Sequence, residues 1–109
     1  MDDDLESVAV ALEQVRTLLL NYGDRMTAPR LVEVVERLRR GDETAIITAI
    51  SEATGGMGSL HDRYLCEQNG DAIDSKDVEP VNILLGQLVA GIEARARLAA
   101  AKRGVRPIR

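Results

Sequence analysis

A chain of 109 residues, 45% hydrophobic and 29% charged, is long enough for one domain with one modest core, too short for two, and too apolar for wholesale disorder. Tyr22 and Tyr64 are its only aromatic residues, so the core must be packed from Leu, Ile, Val and Ala, which favours helices over a β-sandwich. The net charge of −4 is unevenly spread: residues 94–109 hold six cations and no acid, leaving −10 on the rest, and an acidic body with a basic end points to electrostatic contact with a partner or with a second copy of the chain.

Leu5, Val8, Leu12, Val15, Leu19 and Tyr22 recur at steps of three and four, the spacing of one helical face. Asp2, Asp3, Asp4 and Glu6 suit the positive end of that helix, and Asn21 and Gly23 supply its exit. Val10, Leu18 and Leu20 widen the apolar stripe, so this helix is expected to touch more than one neighbour. A second helix follows, capped by Thr27, with Pro29 in its first turn, Leu31, Val34, Val35 and Leu38 buried, and Gly41 as its stop. Asp42 is expected to cap a third, running to about Ala53 with Ile46, Ile47, Ala49, Ile50 and Ala53 apolar.

The third helix delivers the chain to Thr54-Gly55-Gly56-Met57-Gly58-Ser59-Leu60-His61-Asp62, the stretch that helix packing explains least. Its three glycines open backbone angles closed to other residues, at an entropic cost. Either the loop cradles an anion or a partner's carboxylate on free N–H groups, or it is a tight connector between helices. A short helix is expected from Ser59 to about Cys66, with Leu60, Tyr64 and Leu65 on its apolar side, then a turn through Asn69-Gly70. The last and longest helix begins after Asp74 or Ser75, with Pro80 near its first turns. Its inner stripe is read as Val78, Val81, Leu84, Leu85, Leu88, Ile92, Ala96 and Ala99. Gly86 and Gly91 would let another helix approach, and residues 104–109 read as a frayed basic tail. The sum is an all-α, four-helix bundle-like single domain with one extra short helix after the glycine loop.

Several chemistries fit poorly. On a helix His61 and Cys66 point about 140° apart, so they do not form a nucleophile and base pair, and no catalytic residue is assigned. The glycine stretch lacks the Lys-Ser or Lys-Thr of a phosphate loop and the strand that a dinucleotide fingerprint follows. The acids Asp71, Asp74, Asp77 and Glu79 lack the alternation of a calcium loop, with Ile73 at a would-be ligand position, so neither metal nor cofactor is expected. A lone Cys66 excludes an internal disulfide. The acidic body and the lack of stacking aromatics argue against nucleic acid as main ligand. No run is long enough to cross a bilayer, and Met1-Asp2-Asp3-Asp4 is opposite in charge to a secretory leader, so a cytoplasmic location is expected.

The segment Gly55-Gly56-Met57-Gly58-Ser59-Leu60-His61-Asp62, followed by Asn69-Gly70, resembles a small bacterial family of uncharacterised domains with a Gly-Gly-Met-Gly-Ser-Leu/Phe-Asn/His-Asp signature. Small acidic helical proteins of this kind are similar to immunity proteins that neutralise a toxin, which implies a non-catalytic inhibitor. On that reading Gly55, Gly56, Met57, Gly58, Ser59, Leu60, His61 and Asp62, with Asp71, Asp74, Asp77 and Glu79, meet the partner. Met57 and Leu60 would be apolar anchors and the acids a steering rim. Two alternatives stand beside it: a small-ligand protein or enzyme holding an anion on Gly55, Gly56, Gly58 and Ser59 with His61 or Asp62 handling a proton, and a self-associating helical module.

Overall fold

The computed structural model describes residues 3–56 and 58–105, and it is all-α. Four α-helices follow in order: α1 (Asp3–Asn21), α2 (Ala28–Arg39), α3 (Thr44–Thr54) and α4 (Ser75–Arg103). Among the described residues there is no strand. Two single turns of 3-10 helix, Leu60–Asp62 and Glu67–Asn69, lie between α3 and α4. Helix α1 packs against α2 on one side and α4 on the other, and α3 lies against α4. At about 1.5 Å per residue the 29 residues of α4 span the 43 Å long axis of the molecule.

The apolar spacings do what they promised. Leu5, Val8, Leu12, Val15 and Leu19 of α1, Leu31, Val34, Val35 and Leu38 of α2, and Ile46, Ala49, Ile50 and Ala53 of α3 all enter one continuous core. Tyr22, Leu18 and Leu20 pack at its edge, whereas Val10 is exposed. Lys102 at the end of α4 reaches Asp4 at the start of α1 at 3.3 Å, so the first and last helices run antiparallel. The exposed cation is worth little by itself.

Four local expectations are corrected. The Thr27 side chain makes no capping bond to α2. Asp24 orders that entry instead, its Oδ1 accepting from the amides of Met26 at 2.9 Å and Thr27 at 2.7 Å. No α-helix runs from Ser59 to Cys66: after one 3-10 turn the chain is extended at Arg63, because tertiary bonds to Arg63 and Leu65 take the place of helical ones. Leu84 is 43% exposed and Val89 takes its inward place, since Leu84 sits about 100° round the helix from buried Leu85. Val105 is not frayed: its amide donates to Ala100 O at 2.9 Å, and its side chain packs against the core. Asp2, read with Asp3, Asp4 and Glu6 as suiting the positive end of α1, and the remainder of the basic tail, with Arg106 and Arg109, lie outside the described residues. Asp42 does hold the start of α3, accepting from the Thr44 amide at 3.0 Å and hydroxyl at 2.6 Å.

Among the described residues no helix is long and apolar enough to cross a membrane.

Candidate functional site

Residues 55–74 leave the bundle and return to it, and three apolar side chains anchor them: Leu60, Leu65 and Ile73 are buried. The glycines that open the segment answer to backbone geometry. A Cβ on Gly55 would lie 2.3 Å from Ser51 O, and Gly56 and Gly58 hold φ of +107° and +84°, which side chains rarely adopt. Two amides of the loop are already spent, Gly55 on Ser51 O at 2.8 Å and Ser59 on Gly56 O at 3.0 Å. Arg30 clasps the loop from α2, donating to Gly58 O at 3.1 Å and to Glu52 at 2.9 Å. A carboxylate thus stands in the hollow where an anion would have to sit.

Arg63 secures the rest of the segment. Its Nε donates to Asp24 Oδ2 at 2.9 Å, its Nη2 to Asp71 Oδ1, and its Nη1 to Tyr64 O at 2.7 Å. The carboxylates of Asp24 and Asp71 are buried, with 2% and 3% of their side chains exposed, so this is a desolvated two-carboxylate clasp on one guanidinium. Asp71 Oδ2 also accepts from the Cys66 amide at 3.0 Å. Burial pushes the Asp24 carboxyl up, but bonds from the Thr27 amide, the Arg63 guanidinium and the Met26 amide outweigh it and hold it below the usual carboxylate range. Burial likewise opposes the charge on Arg63, and its bonds to Asp71 and Asp24 win, raising its pKa. Asn82 of α4 completes the frame: it accepts from the Leu65 amide at 2.8 Å and donates to Leu65 O at 2.9 Å and Val78 O at 2.7 Å. A further strut runs from the Ala72 amide to Tyr22 O at 2.9 Å.

The frame holds Tyr64 outward, 51% exposed, between two hollows. One, of about 430 Å³, lies between the loop and α4 and is lined by Leu60, His61, Glu79, Asn82, Ile83 and Gly86 beside Tyr64. The other, of about 330 Å³, is lined by Cys66, Glu67, Gln68, Ile73, Ser75 and Val78 beside the same ring. Glu79 lines the first hollow and Glu67 the second, and Asp62, Asp74 and Asp77 are sequence neighbours of residues that line them. Among the described residues Asp62, Glu67, Asp74, Asp77 and Glu79 make no ion pair, and neither do Asp3, Glu33 and Glu36 elsewhere, whereas Glu6, Glu13, Asp24, Asp42, Glu43, Glu52, Asp71 and Glu93 each have an arginine.

Of the residues assigned to partner contact from the sequence, Gly55, Gly56, Gly58, His61, Asp62, Asp74 and Glu79 are exposed and Asp77 is half-buried. Three are corrected. Leu60, cast as an apolar anchor, is 1% exposed and belongs to the core; Ser59 is buried beside it; and Asp71, cast as part of the acidic rim, is consumed by Arg63 and the Cys66 amide. Met57 lies outside the described residues. Sequence reasoning missed Asp24, Arg63, Tyr64 and Asn82 as the makers of this surface. Glu79 and Asn82 reach it only because α4 folds back beside the loop. Among the described residues no three metal-binding side chains are grouped to hold an ion. Compared with protein-family models, curated proteins and solved structures, the chain matches none.

Proposed function

We propose that the chain is a non-catalytic protein-binding module, in its most concrete form an immunity-type inhibitor that covers the basic cleft of a toxin. The observation that carries this reading is the exposed Tyr64, set on a hydrogen-bonded base between two hollows that Glu79 and Glu67 line, carboxylates without cations of their own. An amphipathic ring held at low entropic cost suits a central anchor, and uncompensated carboxylates around it steer a basic partner into place. The anion-binding alternative draws less support, because Glu52 lines the glycine-loop hollow and two of that loop's amides are already bonded.

The test is binding of the purified chain to toxins encoded in its genomic neighbourhood. A one-to-one complex is expected, weakened at least about tenfold by Tyr64→Ala and by Glu79→Lys, with association slowing as salt rises. Failure against every neighbour, or binding indifferent to both substitutions, would sink the proposal.

A further inference from the structure

Helix α4 carries apolar side chains on an outer side as well as on its inner one. Its inner side, from Leu85 through Val89, Ile92 and Ala96 to Ala99, closes the core. Its outer side is not covered: Ile83 and Leu98 are each 57% exposed and Leu84 43%. From Pro80 to Ala101 the outer positions Leu84, Gln87, Gly91, Ala94 and Leu98 follow one another at steps of four and three, the repeat of a helix that packs along another helix.

The glycines make a second, independent point. A helix-interior glycine weakens a helix relative to alanine. Yet a Cβ built on Gly86 or Gly91 meets nothing within 4 Å, so close packing inside the monomer does not account for either residue. Gly86 lines the hollow beside Tyr64, about 140° round the helix, and close approach of an external helix accounts for Gly91.

We propose that the occupant of this face is α4 of a second copy, running antiparallel. The charges select it. The first turns of α4 carry Asp74, Asp77 and Glu79 against Lys76. The last turns carry Arg95, without an ion pair among the described residues, together with Arg97 and Lys102, which are paired to Glu93 and Asp4 yet still 55% exposed. A second copy turned end for end supplies the complementary pattern automatically, whereas parallel pairing sets like charge on like. Pairing that overlaps the whole face places the two-fold axis between Ala90 and Gly91, where small residues let the backbones close. It sets Ile83 opposite the partner's Leu98 and Glu79 opposite the partner's Lys102. This pairing does not depend on the toxin-inhibitor reading, and its readout, mass, is taken without a toxin; because Glu79 and Ile83 also line the hollow beside Tyr64, a second copy and a toxin would compete at that edge.

The test is light scattering of the full chain during chromatography over a dilution series. Twice the 11.9 kDa chain mass is expected, and Leu98→Glu is expected to return the chain to 11.9 kDa with an unchanged helical circular-dichroism spectrum. Orientation is read in a Cys66→Ser background. A mixture of Ile83→Cys and Leu98→Cys chains should form a disulfide-linked pair on mild oxidation. Ile83→Cys chains alone should not, because antiparallel pairing holds those positions about 22 Å apart. A native chain that stays monomeric throughout, a Leu98→Glu chain that stays dimeric, or self-linking of Ile83→Cys alone would each overturn the proposal.

Discussion

Arg63 holds together three parts of the chain that are distant in sequence: the entry to α2 through Asp24, the end of the loop through Asp71, and its own neighbour Tyr64. Removing it strands two buried carboxylates, so Arg63→Met is expected to cost about 3–5 kcal/mol, measured by urea unfolding. Arg63→Lys, which keeps the charge but loses the planar fork, should fall between that variant and the native chain. Tyr64→Ala removes a half-exposed ring and no side-chain bond, so its stability should lie within about 0.5 kcal/mol of the native chain's even as partner binding falls. The pH dependence follows from Asp24, whose native pKa is depressed below its unfolded value. Its contribution is fully present above about pH 4 and is lost as pH falls through the native pKa, when the unfolded chain binds the proton first. Asp42, drawn down to about 2 by the Thr44 hydroxyl and then by Arg37, acts in the same direction between its ordinary value of 3.8 and about 2. Replacing Asp24 by Asn should flatten the acid limb of the stability curve while lowering its plateau, which denaturation at a series of pH values would read.

At the scale of elements, the loop from Gly55 to Asp74 carries the candidate surface and α4 carries the length. The loop's glycines are required by geometry at its start, where α3 must stop within a residue. Gly55→Ala pushes a methyl group against the Ser51 carbonyl, and a loss of about 1–3 kcal/mol is expected in urea titration. Gly91 on α4 has open space above it, so in a monomeric Leu98→Glu background Gly91→Ala should stabilise by about 0.5–1 kcal/mol. Opposite signs at two glycines of one chain would separate a backbone requirement from room left for another molecule.

For the whole molecule, the core is a single aliphatic cluster shared by all four helices, without an aromatic centre. Leu12 is fully buried where α1 meets its neighbours, and Leu12→Ala should cost about 2–5 kcal/mol in equilibrium unfolding. Leu84→Ala, at an exposed position, should cost far less in the same monomeric background. Among the described residues Arg16, Arg30, Arg37, Arg39, Arg63, Arg97, Lys102 and Arg103 are matched to acids, and Arg25, Arg40, Lys76 and Arg95 are not. Of the unmatched acids, Asp62, Glu67, Asp74, Asp77 and Glu79 belong to the loop and the first turns of α4, whereas Asp3 lies in α1 and Glu33 and Glu36 lie in α2.

What the sequence determined by itself was the periodic part. Steps of three and four through Leu5 to Leu19, Leu31 to Leu38 and Ile46 to Ala53 could only be helices that bury those faces, because helical geometry turns spacing into direction. Turn glycines at Gly23 and Gly41 were legible for a similar reason, each being a local backbone requirement. What only tertiary structure decided was everything that depends on a partner far along the chain. The role of Asp24 rests on Arg63, 39 residues away, and Leu65 finds Asn82 17 residues on. Asp71 looked like surface because its neighbours are polar, and it became interior because a guanidinium arrived to neutralise it. Charge and hydrogen-bond pairing have no period, so no spacing in the chain announces them.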